Sequence, residues 1–248
     1  AEARVSGMVI ELVNTGAELM LGYVLNTHQQ WICREISTLG HVVARQAAVD
    51  DGAESIQAAV QEAMGRADLV MVTGGLGPTS DDRTRDLIAS LLGRQLLRDA
   101  ATERRIRAFF GARRRPMPES VLIQAMVPEG AVVFENQHGT APGLAMKTAR
   151  GWLVMLPGPP RELRPMFTSQ LLPFLREQFP PAAEFASDVL RTTGVGESWV
   201  EEQIAPRLEP LVREGLEIGY CARNGEVDVR LVARGPGAGN RVASASQT

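Results

Sequence analysis

One apolar run constrains the fold more than any other feature of this sequence. Residues 68–72 read Asp-Leu-Val-Met-Val, which has the length and apolar character of a buried strand, and three glycines follow within the next five residues. Strand-like runs at 8–13 and 41–49 precede it, each followed by a helical pattern. Strands that alternate with helices predict an α/β domain with a mostly parallel sheet that is covered on both faces.

Helical periodicity fills the intervals between these strands. The first predicted helix runs from Asn26 or Thr27 to Gly40, the second from Asp50 or Asp51 to Arg66, and the third ends at Gly93. Further helices are predicted over 99–111, 118–126 and 159–178, and further strands over 130–134, 142–146 and 151–156.

A change of pattern at Phe179 and the two prolines after it predicts a domain boundary, with domains at 1–180 and 181–248. The second domain shows a strand over 187–193, a helix over 196–208 and a hairpin over 217–232 that turns at Asn224-Gly225. This pattern predicts a smaller α+β domain. The last residues show no closing strand, so we expect this domain to be truncated or to join a further segment.

Composition limits the classes of function. Twenty-six Lys and Arg residues against 29 Asp and Glu residues give a net charge of −3, which provides no long-range attraction to nucleic acid or anionic lipid. The apolar runs are far shorter than the ~20 residues that span a bilayer, and the first residues lack the pattern of a secretory signal. We therefore expect a cytoplasmic protein without nucleic-acid or membrane partners. Walker, GxSxG, HExxH and CxxC motifs do not occur.

The loop after the strand at 68–72 is the best candidate for a ligand site, because open α/β sheets bind ligands at the carboxyl ends of their strands. Gly74, Gly75 and Gly77 let the backbone approach a phosphate closely, next to the free N–H groups of a helix start. Asp81 and Asp82 would repel a phosphate unless a divalent cation lay between them, so the pair suggests a metal site. The alternative is that one aspartate caps the helix and the other faces solvent.

Three further loops follow predicted strands. Glu18, in the loop over 14–22, is either a third acidic ligand or a surface carboxylate that begins a helical turn. The loops at 136–143 and 156–162 are either simple turns or the walls of a pocket shared with the glycine loop.

The motifs together resemble a known family. The series TGAELMLG, NTHQQW, TGGLGPTSDDRTRD, PEGAVVFENQHGTAPG and LPGPPRELRPMF is similar to the amino-terminal part of the competence/damage-inducible CinA proteins over about residues 10–179. This resemblance implies a three-layer α/β/α fold like that of molybdopterin-binding domains, and residues 193–232 are similar to the smaller α+β domain that follows in the family.

The resemblance also implies an activity. It indicates a metal-dependent pyrophosphatase that splits ADP-ribose into AMP and ribose 5-phosphate, and it indicates a homodimer. Many members carry a third domain that deamidates nicotinamide mononucleotide. This sequence has no counterpart of that domain, so we expect no deamidation from it.

The family motifs match this sequence residue by residue. They assign Glu18, Asp81 and Asp82 to the metal, with Asp81 and Asp82 as the catalytic pair, and the cation would be Mg²⁺, Mn²⁺ or Co²⁺, with K⁺ as a further candidate. Two positions depart from the family pattern, since Ala17 stands where serine is commoner and His28 where asparagine is common. With the loops above, the predicted substrate-binding residues are Thr15, Asn26, Gly74, Gly75, Gly77, Thr79, Asn136, Gly139, Thr140, Pro157, Gly158 and Pro159.

Two other functions fit the same residues. The shared fold would allow molybdopterin binding or adenylylation, as in molybdenum-cofactor biosynthesis, and the domain could also be a non-catalytic nucleotide-binding module. Fold alone does not decide between them.

Overall fold

The computed structural model describes residues 8–180 and 183–248, and the chain divides into two compact units. The first unit holds the residues up to Ile36 and His41–Phe179, and the second holds Ser37–Gly40 and the residues from Pro180 onward. The boundary predicted from the sequence lies between residues 180 and 181.

Strands and helices alternate along most of the first unit. The strands of the chain are β1 (Ile10–Thr15), β2 (Val43–Val49), β3 (Leu69–Thr73), β4 (Leu96–Arg98), β5 (Met126–Pro128), β6 (Val132–Phe134), β7 (Gly143–Lys147), β8 (Trp152–Leu156), β9 (Phe185–Thr193), β10 (Leu216–Arg223) and β11 (Glu226–Arg234). The α-helices are α1 (Ala17–Met20), α2 (Thr27–Ser37), α3 (Ala53–Arg66), α4 (Thr84–Leu91), α5 (Ala100–Ala112), α6 (Pro160–Met166), α7 (Leu172–Gln178), α8 (Glu197–Arg213) and α9 (Ala238–Ser246).

A six-stranded sheet in the order β2-β1-β3-β8-β7-β6 forms the centre of the first unit. The pairs β1-β2, β1-β3 and β3-β8 are parallel, and β7 is antiparallel to both of its neighbours. The mostly parallel sheet predicted from the sequence is therefore confirmed. The chain leaves β1 for β2 on one side and returns to β3 on the other, which opens a crevice at the carboxyl ends of β1 and β3.

Helices cover both faces of this sheet. Ile56 of α3 and Ile88 of α4 pack with Val72 of β3 in one hydrophobic cluster. Successive strand residues point to opposite faces, and every residue of β3 is buried, so the other face is covered as well. Trp31 of α2 packs edge-on against Phe167, with ring centroids 5.2 Å apart. No helix in the described part of the chain is long and apolar enough to cross a membrane.

The second unit is an α+β structure, as predicted. Its antiparallel sheet has the order β10-β11-β9, and Val200 of α8 and Val242 of α9 share a buried cluster with Leu231 of β11. The sequence predicted no closing strand after the hairpin, and none follows β11 among the described residues. Residues 238–246 form α9, a helix that was not predicted, which packs on β9 and β11 with Ala238, Val242 and Ala245 buried.

Two predicted helices of the first unit differ from the observed ones. Residues 159–178 form α6, a π-helical turn over Phe167–Leu171, and α7, because Pro165 and Pro173 each lack the N–H that a regular helix needs. Residues 119–125 form a 3₁₀-helix rather than an α-helix, and the missed three-residue strand β5 follows it and pairs with β4.

Candidate active site

A cavity of 570 Å³ opens at the carboxyl ends of β1, β3 and β8. Its walls come from the loops that follow these strands, and the topological crevice between β1 and β3 lies at its centre. The cavity is lined by twelve of the residues predicted for metal or substrate: Thr15, Glu18, Asn26, Gly74, Gly75, Gly77, Asp81, Asp82, Thr140, Pro157, Gly158 and Pro159.

The glycine loop presses against its neighbours at positions where no larger residue fits. Gly74 has φ +99°, and a Cβ there would lie 2.6 Å from the Thr15 carbonyl oxygen. Gly75 has φ +66°, and a Cβ there would overlap the Thr84 hydroxyl. The backbone N–H of Gly74 donates to the Leu156 carbonyl at 3.0 Å, so this loop is fixed against both β1 and β8.

The glycine loop already occupies one backbone N–H group at the start of α4. The Thr84 N–H donates to the Gly75 carbonyl oxygen at 3.1 Å, and Thr84 and Arg85 are both buried. The prediction that the helix start offers its free N–H groups to a ligand is therefore wrong for Thr84.

Buried polar side chains tie the ends of β1 and β3 together. Asn14 is fully buried, and its Nδ2 donates to the Thr73 hydroxyl at 2.5 Å. The hydroxyls of Thr15 and Thr84 lie 3.4 Å apart beneath the glycine loop. These contacts join the two strand ends that form the floor of the cavity.

Five carboxylates line the cavity, and they come from Glu18, Asp51, Asp81, Asp82 and Glu162. Among the described residues that line it, none is a lysine or an arginine. A phosphate in this cavity would therefore meet carboxylates without a compensating cationic side chain.

The two adjacent aspartates share Thr79 as a hydrogen-bond partner. Asp82 Oδ2 accepts from the Thr79 N–H at 3.0 Å and from its hydroxyl at 2.5 Å. A hydrogen bond from the Thr79 side chain also lowers the pKa of Asp81. A hydroxyl carries one proton and cannot donate to both carboxylates at once. Thr79 itself does not line the cavity.

Asp81 and Asp82 are the described residues that could hold a divalent cation. Within residues 8–180 and 183–248, no group of three or more His, Cys, Asp or Glu side chains is arranged to hold a metal ion. Mg²⁺ characteristically uses one or two carboxylates and completes its shell with water and substrate phosphate. Asp81 and Asp82 supply such oxygen ligands. Glu18 folds back over its own loop, where a Cβ on Gly16 would lie 2.7 Å from Glu18 Oε1.

Asp51 reaches the site although the sequence suggested that it or Asp50 capped α3. The N-cap of α3 is Gly52, without a side-chain cap, and Asp50 Oδ1 accepts from the Gly52 N–H at 2.9 Å. Asp51 Oδ2 instead accepts from the Ala17 N–H at 2.8 Å, which connects the loop after β2 to the loop after β1.

Asn136 and Gly139 do not line the cavity, and both contact Glu162. Asn136 Nδ2 donates to Glu162 Oε2 and to the Ala141 carbonyl oxygen, each at 2.8 Å. A Cβ on Gly139 would overlap the Glu162 carboxylate. Glu162 is 8% exposed and was missed as a site residue, although its place at the start of α6 after a strand-end loop could have pointed to it.

Three polar side chains of the cavity retain buried atoms without a partner. Asn26 Oδ1 accepts from the Gln29 N–H at 3.3 Å and caps α2, which leaves its Nδ2 unpaired. His28 Nε2 bonds to the Gly158 carbonyl oxygen, and its Nδ1 is unpaired. Burial lowers the pKa of His28, and the charge of Arg164 lowers it further.

The third of these side chains, Gln124, was missed by the sequence reasoning. It is 2% exposed, its Nε2 donates to the Leu76 carbonyl oxygen at 3.0 Å, and its Oε1 is unpaired. It lies on the 3₁₀-helix, about fifty residues beyond the glycine loop and outside every motif. Only the folded chain shows that it reaches the cavity.

Comparison with known proteins gives the family. A family model described as "Probable molybdopterin binding domain" matches residues 11–177, and one described as "Damage-inducible protein CinA KH domain" matches residues 187–246. The chain belongs to the CinA family. A "CinA-like protein" of Akkermansia muciniphila is 42% identical over 229 residues, which cover 90% of this chain and 53% of that protein. A "CinA-like protein" of Gemmatimonas aurantiaca is 42% identical over 91% of this chain and 53% of its own length.

A solved structure agrees with the fold of the first unit. The CinA protein of Thermoplasma acidophilum, whose function is described as unknown, is 28% identical with a TM-score of 0.62 and covers 67% of this chain and 98% of its own. The chain spans about half the length of the curated relatives named above.

The second unit lacks one feature by which KH modules hold nucleic acid. Those modules clamp the nucleic-acid backbone with a Gly-x-x-Gly loop, and residues 183–248 contain no such sequence. The loop before α8 reads Gly-Val-Gly-Glu, and Glu197 Oε2 accepts from the Ala222 N–H at 3.1 Å. A carboxylate at this helix start disfavours phosphate. The expectation of no nucleic-acid partner stays a prediction.

Proposed function

We propose that the first unit hydrolyses the pyrophosphate of ADP-ribose, or of a related nucleoside diphosphate sugar, to AMP and ribose 5-phosphate in a metal-dependent reaction. One observation carries the proposal: five carboxylates surround a cavity that the glycine loop also lines, and no described lysine or arginine lines it. Phosphate and carboxylates can share such a cavity only when a cation lies between them.

Residues of the first unit would hold both the metal ion and the substrate. Asp81 and Asp82 would hold the divalent ion, and the backbone of the glycine loop, which lines the cavity, would lie against the pyrophosphate. When bound, a divalent ion neutralises phosphate charge and lowers the pKa of a water that attacks phosphorus. The unpaired Nδ2 of Asn26 would donate to the substrate.

Release of AMP tests this proposal. The purified chain would be incubated with ADP-ribose after treatment with EDTA, and again with Mg²⁺, Mn²⁺ or Co²⁺ restored, each with and without K⁺. We expect AMP and ribose 5-phosphate in equal amounts whenever a divalent ion is present, and neither product in EDTA. Absence of AMP with every ion would refute the proposal.

Molybdopterin-related binding is the second candidate, and the description of the family model over residues 11–177 favours it. Titration with a pterin nucleotide, followed by its fluorescence, and titration with AMP, followed by calorimetry, separate the two functions. Tight pterin binding without AMP release would favour this second candidate. Tight AMP binding without hydrolysis would favour a non-catalytic nucleotide-binding module.

A further inference from the structure

We propose that Gln124 reads the nucleoside part of the ligand, with its Oε1 accepting a hydrogen bond from a ribose hydroxyl or from the exocyclic amino group of the base. This inference rests on the proposed nucleotide substrate. Gln124 is 2% exposed, lines the cavity, and has an Oε1 without a partner.

The orientation of the amide follows from its neighbour. A backbone carbonyl oxygen can only accept, so the group 3.0 Å from the Leu76 oxygen must be the NH₂ of Gln124. The side-chain oxygen therefore occupies the other position of the amide, and it is an acceptor that cannot be exchanged for a donor by flipping the side chain. Leaving such a buried acceptor unpaired destabilises the free protein, so a ligand that donates a hydrogen bond to it should bind more tightly.

The chemistry of Oε1 excludes the phosphates as its partner. The ionised oxygens of a pyrophosphate carry no hydrogen, so they cannot donate a hydrogen bond to Oε1. A nucleotide carries hydrogen-bond donors on its ribose hydroxyls and, in adenine, on the exocyclic amino group. Gln124 is thus suited to the part of the ligand that lies beyond the pyrophosphate.

Gln124 also links the proposed nucleoside contact to the glycine loop, because its side chain would bond to both. Its NH₂ holds the carbonyl of Leu76, which lies between Gly75 and Gly77. A nucleoside bound at Oε1 would therefore be placed relative to the backbone that accommodates the phosphates. Asn26 provides the complementary unpaired donor in the same cavity.

Ligand analogues test the proposal on the unmodified chain. Calorimetry in the presence of Mg²⁺ would measure the binding of AMP, of IMP, in which a carbonyl replaces the amino group, and of 2′-deoxy-AMP and 3′-deoxy-AMP. We expect one of the three analogues to bind about tenfold more weakly than AMP or worse, and the identity of that analogue names the donor. Equal binding of all four nucleotides, or no binding of AMP, would overturn the proposal.

The variant Gln124→Met then tests whether Gln124 causes the difference in affinity between AMP and the weak analogue. Methionine has a similar length and cannot accept strongly, so AMP and the weak analogue should bind this variant with the same affinity. The exposed residue Gln95 gives the matched control, because Gln95→Met should preserve the full discrimination. Discrimination that persists in Gln124→Met would contradict the proposal. If the chain discriminates among these nucleotides but releases no AMP from ADP-ribose, the proposed hydrolysis fails while this inference stands.

Discussion

At the residue scale, glycine and carboxylate pairs recur around the cavity. A Cβ on Gly16 would lie 2.7 Å from Glu18 Oε1, one on Gly77 would overlap the carboxylate of Asp82, and one on Gly139 would overlap that of Glu162. Gly77 and Gly139 have no positive φ, so space rather than backbone conformation requires glycine there. These glycines make room for an acidic side chain of the same loop, or, for Gly139, of the start of α6.

Gly139→Ala should therefore displace the Glu162 carboxylate from Asn136 and reduce AMP release about tenfold or more, because the new Cβ would overlap that carboxylate. Gly65→Ala is the matched control, since Gly65 lies within α3 with nothing within 4 Å of its Cβ position. This control should retain full activity and gain up to about 1 kcal/mol of stability. Wild-type rates in Gly139→Ala would show that the position of Glu162 does not matter.

His28 should make stability depend on pH. Burial lowers its pKa, so the folded state binds a proton more weakly than the unfolded state does. Below the ordinary value of 6.5 the unfolded state therefore holds more protons, and the free energy of unfolding should fall as the pH drops from 7 to 5. His28→Asn keeps an N–H for the Gly158 carbonyl and should show a smaller fall in urea titrations. Equal pH slopes in the two proteins would contradict this account.

At the element scale, long apolar strands were predictable and short or irregular elements were not. Every residue of β1 and of β3 is buried, and the apolar residues that dominate 8–13 and 69–72 are visible in the sequence. Strands β4 and β5 have three residues each and carry no periodicity. The π-helical turn results from the positions of two prolines within an otherwise helical pattern, and its hydrogen bonding could not be read from periodicity.

Helix α5 offers an electrostatic prediction. Hydrogen bonds from Arg98 and Arg107 lower the pKa of Glu103 to about 2. A lowered carboxyl pKa stabilises the folded state above its unfolded value of 4.5, and the effect is lost as the pH falls toward 2. Glu103→Gln should therefore lower Tm at pH 7 and have little effect at pH 2. High salt should reduce this difference in Tm at pH 7, because Arg98 and Arg107 are exposed to solvent. A Tm difference that is independent of pH would contradict the prediction.

At the scale of the whole molecule, the topology explains why separate motifs form one site. The order β2-β1-β3 brings the loops after β1 and β3 to a common edge, and β8 adds the loop at 157–159. The sequence predicted these loops because motifs mark them. It did not predict Gln124, Asp51 or Glu162, since their roles depend on packing between elements that are distant in sequence.

The expected homodimer can be tested through an exposed apolar segment. Met20, Leu21, Tyr23, Val24 and Leu25 are each more than half exposed, which is unusual for a surface without a partner. Tyr23→Glu should shift the sedimentation coefficient of the chain from that of a dimer to that of a monomer. Val189→Glu, at a similarly exposed position on β9, should leave the dimer intact. A wild-type chain that sediments as a monomer at all concentrations would refute the dimer.

The most direct test of the central claim measures AMP release from ADP-ribose by Asp81→Asn and Asp82→Asn beside the wild type, with Mg²⁺ present. Asparagine preserves the size of each side chain and removes the charge that would hold the cation. We predict a loss of at least about 100-fold in both variants with unchanged far-ultraviolet circular dichroism, and full activity in Glu177→Gln, an exposed carboxylate on α7. Wild-type rates in both aspartate variants would show that the acidic pair does not act in the reaction.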